Sequence, residues 1–184
     1  MNEELIKALK QLRLSGLVQS LEVRLQEAAA NQLSHAQFLE LIARDELLVR
    51  RERQLARRVK AARFPSLKTL DQFRWDFNPR IDKQAIFELA AGQFIRNGGD
   101  ALFVGPPGTG KTHLAQAIGY RAIQNGHLVL YRSVFDLVRD FLREQAFAGQ
   151  DDTLKTYLKP DLLIIDDMGL KQLPKRSGEF LFEV

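Results

Sequence analysis

The sequence predicts an α/β protein in which a mostly parallel sheet, with helices between its strands, follows a small all-helical N-terminal domain. From residue 101 onward, short apolar runs alternate with segments of helical length, which is typical of a parallel sheet. A glycine-rich turn joins the first apolar run to the helix after it. Through the first 64 residues, apolar side chains recur at steps of three or four residues, which predicts amphipathic helices.

The N-terminal domain is predicted to span residues 1–64 and to contain three helices. Ser15-Gly16 is expected to divide the first apolar stripe into two short helices, and Asn31 to interrupt the pattern again. Ser34 is the predicted N-cap of a long third helix. Phe64-Pro65 ends this helix, because a residue before proline is pushed away from helical angles.

Residues 65–80 are predicted to be an irregular, aromatic-rich connector, and residues 81–184 the α/β domain. The predicted elements of that domain are helix 81–94, strand 101–104, helix 111–124, strand 128–131, helices 134–147 and 153–158, and strand 162–165. The four residues of strands 101–104 and 162–165 are all apolar, which indicates strands buried on both faces.

Composition excludes several classes of protein. With 45% hydrophobic and 27% charged residues, the chain resembles an ordinary soluble globular protein, and no apolar run reaches the ~18–20 residues of a membrane span. The absence of cysteine excludes disulfides and thiolate metal sites. The N-terminus does not resemble a secretory signal, so a cytoplasmic location is expected.

Positive charge is concentrated in the N-terminal part. Residues 1–70 carry 13 Lys and Arg against 8 Asp and Glu, whereas the remainder carries 14 against 15. Most of the excess lies between residues 44 and 68. Such a block favours a polyanionic partner, because clustered cations release condensed counterions from phosphates. The alternative is a solvated helix face with no ligand.

The glycine-rich turn matches the P-loop pattern G-x-x-x-x-G-K-[ST] and lies between a predicted strand and a predicted helix. Glycine lets the backbone wrap closely around phosphate, and the amides of residues 108–111 should point into that concavity at a helix N-terminus. Lys111 should reach the β- and γ-phosphates, and the Thr112 hydroxyl should bind Mg²⁺. A chance glycine–proline turn is the alternative. The candidate nucleotide-binding residues are Gly105, Pro106, Pro107, Gly108, Thr109, Gly110, Lys111 and Thr112.

A pair of carboxylates, Asp166-Asp167, follows the apolar strand 162–165. This is the Walker B arrangement, and it makes the prediction of ATP with Mg²⁺ as cofactors much stronger than the P-loop alone. Asp166 is predicted to hold Mg²⁺ through its water shell. Asp167 is predicted to polarise the attacking water, so Lys111 and Asp167 are the candidate catalytic residues.

The strings GPPGTGKTHLA and LKPDLLIIDDMG resemble the AAA+ ATPases of the DnaC/IstB type, and are most similar to IstB-like helper ATPases of insertion sequences. The similarity extends over the chain, since the N-terminal and linker segments of that family resemble LRLSGLVQSLEVRL at 12–25, LSHAQFLELIARDEL at 33–47 and ARFPSLKTLDQFRWDFNPRID at 62–82.

This resemblance implies an AAA+-like P-loop fold and an ATP-dependent, homo-oligomeric assembly on double-stranded DNA that engages a transposase. It places Phe77 and Ile81 beside the adenine, with core packing as the alternative. His113 matches the family pattern next to the P-loop, although such a histidine is more often a packed helix residue. The residues expected to contact DNA are Arg50, Arg53, Arg57, Arg58 and Lys60.

Members of the AAA+ group continue beyond Walker B with further strands, a sensor residue, an arginine finger and a helical lid. The sequence ends at Val184, inside a helix expected after Asp167, so the expectation is an incomplete ATPase domain that does not turn over ATP by itself. Two alternatives stay open: a DnaC-like loader of a replicative helicase, and a binding module for ATP or DNA that does not hydrolyse. A P-loop kinase of small molecules is disfavoured, because a basic helical prefix has no role there.

Overall fold

The computed structural model describes residues 3–146, 152–169, 177–178 and 181. Its internal contacts divide the chain into two units, Met1–Arg57 and Arg58–Val184. The domain bounds proposed from the sequence remain a prediction. The helix expected after Asp167, at the end of the chain, falls largely outside the described residues.

The first unit is helical. Helix α1 spans Glu3–Gln11, α2 spans Ser15–Ala30, and α3 spans His35–Ala62, of which residues 58–62 belong to the second unit. The predicted N-cap of α3 is confirmed as a reciprocal pair: Gln37 N donates to Ser34 Oγ at 3.3 Å, and Ser34 N donates to Gln37 Oε1 at 2.9 Å. This is the capping box, which satisfies two otherwise unpaired amides. The buried core of the unit consists of Leu17, Leu21 and Ile42.

The predicted helix break at Ser15-Gly16 is wrong by a few residues, because these two residues form the first turn of α2 and the break lies at residues 12–14. The buried Glu46 of α3 accepts hydrogen bonds from Gly16 N at 2.7 Å and Leu17 N at 2.9 Å. Its carboxylate thereby supplies the partner that a helix N-terminus needs. A Cβ on Gly16 would lie 2.8 Å from Val49 Cβ, so only glycine permits this approach of the two helices.

The second unit is mixed α/β and mostly helical. A 3₁₀ turn at Trp75–Phe77 lies in the connector. The elements after it are α4 at Lys83–Ala90, α5 at Gln93–Arg96, α6 at Lys111–Gln124, β1 at Val129–Ser133, α7 at Val134–Ala146, α8 at Asp152–Leu158 and β2 at Leu162–Asp166. The single helix predicted over 81–94 is wrong. Gly92, at φ +77°, separates α4 from α5, because its left-handed backbone cannot continue a helix.

The predicted parallel sheet is confirmed, with two strands in the described part of the chain. β1 and β2 pair in parallel register from Val129 with Leu162 to Ser133 with Asp166. Helix α6 packs against both strands. A Cβ on Gly119 of α6 would lie 2.6 Å from Ile164 Cδ1, so this glycine allows the helix to approach the sheet closely.

The strand predicted over residues 101–104 is absent from the structure, and its predicted burial is wrong. Leu102 and Val104 are 88% and 84% exposed. The segment lines one groove together with β2, but in the described chain β2 hydrogen-bonds only to β1. Without a paired neighbour, the amides and carbonyls of an extended segment must bind water, so the segment stays at the surface.

None of the helices in the described ranges combines the length and the apolar character that crossing a membrane requires.

Candidate nucleotide-binding site

The P-loop residues lie between the exposed segment 101–104 and the N-terminus of α6. Gly108 has φ +78°, and Gly110, the N-cap of α6, has φ +94°. Residues with a Cβ rarely adopt these angles. A second constraint acts on Gly110, because an added Cβ would lie 2.7 Å from Cε2 of Phe73 in the connector.

The Lys111 ammonium lies against the carbonyls at the start of the loop. Its Nζ donates to Gly105 O at 2.7 Å and to Pro106 O at 2.8 Å, and the Thr109 hydroxyl also donates to Pro106 O, at 2.9 Å. An ammonium has three N–H donors, and the Gly105 and Pro106 carbonyls accept from Lys111 here. The loop therefore holds the Lys111 charge at its own edge, beside the positive end of the α6 dipole.

Asp166, the last residue of β2, lines one groove together with Lys111 and Thr112. Burial acts to raise the pKa of this carboxyl, but hydrogen bonds from Tyr131, Thr112 and the Asp167 amide, with the Lys111 charge, hold the pKa below its ordinary value. The structure thus brings together both predicted metal ligands, an ionised carboxylate and a hydroxyl.

This donor set fits Mg²⁺, which prefers oxygen ligands, retains several waters and is often bound by only one or two carboxylates. In the described residues, no three His, Cys, Asp or Glu side chains converge on one point as a dedicated metal cage would require.

Asp167 differs from its neighbour in backbone and in charge. Its φ is +63°, a left-handed conformation that is uncommon for a residue other than glycine. Burial, followed by the negative charges of Asp166 and Asp136, raises its pKa. Two adjacent carboxyls whose pKa values are shifted in opposite directions are suited to different chemical roles.

A cleft of about 680 Å³ lies beside the P-loop and is lined by the connector residues Phe77 and Arg80, by Ile81 and by residues 103–109. Its volume is within the usual range for small-molecule sites. Phe77 is 57% exposed, which does not favour the alternative that it is a core residue. Arg80 also lines this cleft, although the sequence did not identify it as a site residue.

His113, in the first turn of α6, faces the connector. Its Nε2 lies 3.0 Å from Thr69 O, and its ring makes an edge contact with Phe73 at 5.2 Å between centroids. These contacts agree with a packed helix residue. His113 and Phe73 together hold the connector against the residues that begin α6.

The family assignment comes from sequence comparison. A family model described as IstB-like ATP binding protein matches residues 7–184. This chain belongs to the IstB-like ATP-binding proteins. It is 32% identical, over its whole length, to a protein of insertion sequence IS5376 from Geobacillus stearothermophilus that is named as ATP-binding, and it covers 73% of that relative.

Two further relatives carry names of the same kind. The chain is 33% identical to an ATP-binding protein of insertion sequence IS21 from Pseudomonas aeruginosa, over 99% of this chain and 68% of the relative. It is 29% identical to an insertion-sequence ATP-binding protein of Mycobacterium tuberculosis, over 96% of this chain and 70% of the relative.

In this family member, four of the five cations predicted to contact DNA share one side of α3. At 3.6 residues per turn, Arg50, Arg53, Arg57 and Lys60 fall within a sector of about 80°, and we call them the basic stripe. All four residues are exposed. Arg58, the fifth predicted cation, lies about 100° around the helix from Arg57 and is half-buried. Its Nη1 lies 3.6 Å from the position that a Cβ on Gly126 would occupy.

Two members of the basic stripe also have structural partners. Arg50 Nε donates to the buried Glu46 at 2.7 Å, and Arg53 Nη1 donates to Ser15 Oγ. Arg57 makes a longer bond of 3.4 Å to Arg53 O. For Lys60 the structure shows no ion pair with any described residue. Arg57 and Lys60 are therefore the stripe residues whose replacement disturbs the fold least.

Besides Arg80, sequence reasoning missed three residues at or next to the site: Phe73, which packs against Gly110; Tyr131, which donates to Asp166; and Gln116, which lies near Tyr131. The sequence carries one signal for Tyr131. Its hydroxyl is a polar group among the otherwise apolar first three residues of β1, 129–131. Such a hydroxyl needs a hydrogen-bond partner.

Proposed function

We propose that this protein binds ATP with Mg²⁺ through residues 105–112 and Asp166, and uses the nucleotide to assemble on DNA as a helper of a transposase. The observation that carries the proposal is that Asp166, at the end of β2, lines one groove together with Lys111 and Thr112 of a complete P-loop. The names of the relatives, ATP-binding proteins of insertion sequences, supply the context.

Each residue has a chemical task in this proposal. Lys111 and the loop amides bind the β- and γ-phosphates, and Thr112 with Asp166 holds Mg²⁺, which neutralises phosphate charge. Asp167 polarises the attacking water, for which its raised pKa is suited. The cleft lined by Phe77 and Ile81 takes the base.

The basic stripe is the proposed DNA contact. Its cations would meet backbone phosphates, which position a protein without reading sequence. Each copy needs only a few contacts when several copies assemble on one duplex, since linked contacts gain avidity. A loader of a replicative helicase would share the nucleotide site, but the insertion-sequence relatives favour transposition.

The direct test follows assembly by sedimentation on random-sequence duplexes, in Mg²⁺ with ATP, ADP or no nucleotide. We expect complexes with several protein copies per duplex in ATP only, and ATP-dependent capture of the transposase encoded by the same element. Equal assembly with and without nucleotide would refute a nucleotide-dependent helper.

The same assay tests the basic stripe. Arg57→Ala with Lys60→Ala should weaken binding to all duplexes alike, and make the log–log salt slope shallower by about 1.8 per protomer, at about 0.9 for each lost phosphate contact. The matched control, Arg44→Ala with Arg51→Ala, removes the same charge from another exposed side of α3. Circular dichroism should be unchanged in both, because alanine favours helix. Equal slopes for the two double variants would leave the stripe as a solvated face.

A further inference from the structure

Tyr131 on β1 makes a direct hydrogen bond to the proposed metal ligand on the neighbouring strand. Its hydroxyl donates to Asp166 Oδ2 at 2.7 Å, while the other carboxylate oxygen, Oδ1, accepts from Asp167 N at 2.8 Å. Tyr131 pairs with Ile164 in the sheet register, two residues before Asp166. It belongs to neither the P-loop nor the Asp166-Asp167 pair.

The environment of Tyr131 fixes the direction of this hydroxyl. The residue is 8% exposed, and its ring packs against Phe64 with 6.0 Å between centroids. The side chain of Gln116 on α6, which is 2% exposed, lies near the Tyr131 hydroxyl and accepts from Ser66 Oγ at 3.5 Å. A phenol has one proton to donate, and Tyr131 donates it to Asp166.

The consequence for Asp166 is a carboxylate that cannot rotate freely. A carboxylate offers about four lone-pair sites, and here Tyr131 donates to one oxygen and the Asp167 amide to the other. Tyr131 lies on β1, and Asp167 is the residue directly after β2. These two bonds fix the carboxylate in the groove that Thr112, the other proposed metal ligand, also lines.

We propose that Tyr131 is a positioning residue that holds Asp166 in the orientation required for the Mg²⁺ of bound ATP, with Gln116 fixing Tyr131 from behind. This inference rests on the proposed nucleotide function. Partners that orient a metal ligand typically contribute about 10- to 100-fold to metal affinity. Removing only this hydroxyl isolates its contribution, because Tyr131→Phe leaves the ring packing against Phe64 intact.

The test compares Tyr131→Phe with the parent by titrating a fluorescent ATP analogue, once in EDTA and once in excess Mg²⁺. The ratio of the two dissociation constants reports the metal contribution alone. We expect Tyr131→Phe to leave affinity in EDTA unchanged and to reduce the Mg²⁺-dependent gain about tenfold, toward the value of Asp166→Asn. A gain equal to that of the parent would overturn the inference.

Tyr157→Phe is the matched control. Tyr157 is also buried, at 3% exposed, and its hydroxyl donates to a carboxylate, Asp140, at 2.8 Å. Its loss removes the same kind of bond away from the P-loop, so its Mg²⁺-dependent gain should equal the parent's. If the two phenylalanine variants behave alike, the effect is general destabilisation and the inference fails.

Two further variants keep the inference distinct from the proposed function. If Asp166→Asn itself retains the parental Mg²⁺-dependent gain, the metal site of the proposed function is wrong. If Asp166→Asn loses the gain and Tyr131→Phe does not, only the inference is wrong. Gln116→Met leaves the tyrosine in place but removes the group behind it, and should lower the gain in the same direction. A parental gain in Gln116→Met would overturn the role given to Gln116.

Discussion

Gly110 meets two independent constraints at a single residue. Its φ of +94° favours glycine, and the Phe73 ring occupies the space that a Cβ would enter. The P-loop pattern accounts for a glycine at this position through the close approach of phosphate. The structure adds that the connector packs there too, so the connector helps to hold the loop as it enters α6.

At this scale we expect Gly110→Ala to unfold more easily, by about 1–3 kcal/mol, and to bind ATP more weakly. The matched control is Gly98→Ala, because Gly98 has φ +63° but no atom within 4 Å of an added Cβ. Gly98→Ala therefore introduces backbone strain of about 1–2 kcal/mol, but its Cβ collides with no other atom and the residue lies outside the P-loop. Calorimetric ATP titration and urea unfolding of both proteins measure the difference. Parental ATP affinity in Gly110→Ala would contradict this account.

At the residue scale, the sequence could predict groups whose spacing is local and could not predict contacts between distant segments. Lys111, Thr112 and the two aspartates follow from short patterns beside predicted elements. Tyr131 meets Asp166 from 35 residues away, and that contact depends on the register of two strands. No periodicity in a single sequence specifies such a register.

At the scale of elements, the junction of α2 and α3 depends on one buried carboxylate. Burial acts to raise the pKa of Glu46, but its hydrogen bonds with Arg50 and with the amides of Leu17 and Gly16 bring that pKa below its ordinary value. A carboxyl with a depressed pKa in the folded state stabilises the fold above its unfolded pKa, about 4.3. That stability is lost as the pH falls through the lower, folded pKa.

We therefore expect Glu46→Gln to lower the free energy of unfolding at pH 7 by about 1–3 kcal/mol, because hydrogen bonds to a charged acceptor are lost. Below about pH 4, the parent should approach the variant in stability as Glu46 becomes protonated. Urea unfolding followed by circular dichroism at several pH values measures this.

Glu40→Gln is the control for that experiment. Glu40 lies on the same helix and pairs with Arg44 at 2.5 Å, but both side chains are at least 60% exposed. An exposed helix pair contributes about 0.3–0.5 kcal/mol. If Glu40→Gln and Glu46→Gln lose the same stability at pH 7, Glu46 does not have the structural role assigned to it.

The elements that the sequence predicts best are those whose signals are complete within a few residues. The start of α3 follows from Ser34 and Gln37, and the start of α6 from the P-loop. The predicted strand over 101–104 was wrong because an apolar pattern indicates only that a segment can be buried. A strand also needs a neighbouring strand with which its backbone can form hydrogen bonds. Helix 81–94 was wrong because a single glycine, Gly92, adopts a left-handed conformation.

For the whole molecule, the sequence predicted the mixed α/β class with a parallel sheet and the family, and the family model and the structure bear these out. The proposed site depends on the assembly of its parts: a loop before α6, a carboxylate at the end of β2 that shares a groove with the loop, and a connector cleft beside the loop. Each part was predictable from sequence. The arrangement of these parts in space and the side chains that connect them could not be predicted from the sequence.

Calorimetric titration of MgATP into Lys111→Ala and its parent measures whether this assembly binds ATP. Loss of one charge-assisted hydrogen bond, about 1.5–3 kcal/mol, predicts an affinity at least about tenfold weaker in the variant. Lys159→Ala, which removes an exposed lysine distant in sequence from the loop, should bind as the parent does. Equal MgATP affinities for Lys111→Ala and the parent would contradict the assignment of the nucleotide site.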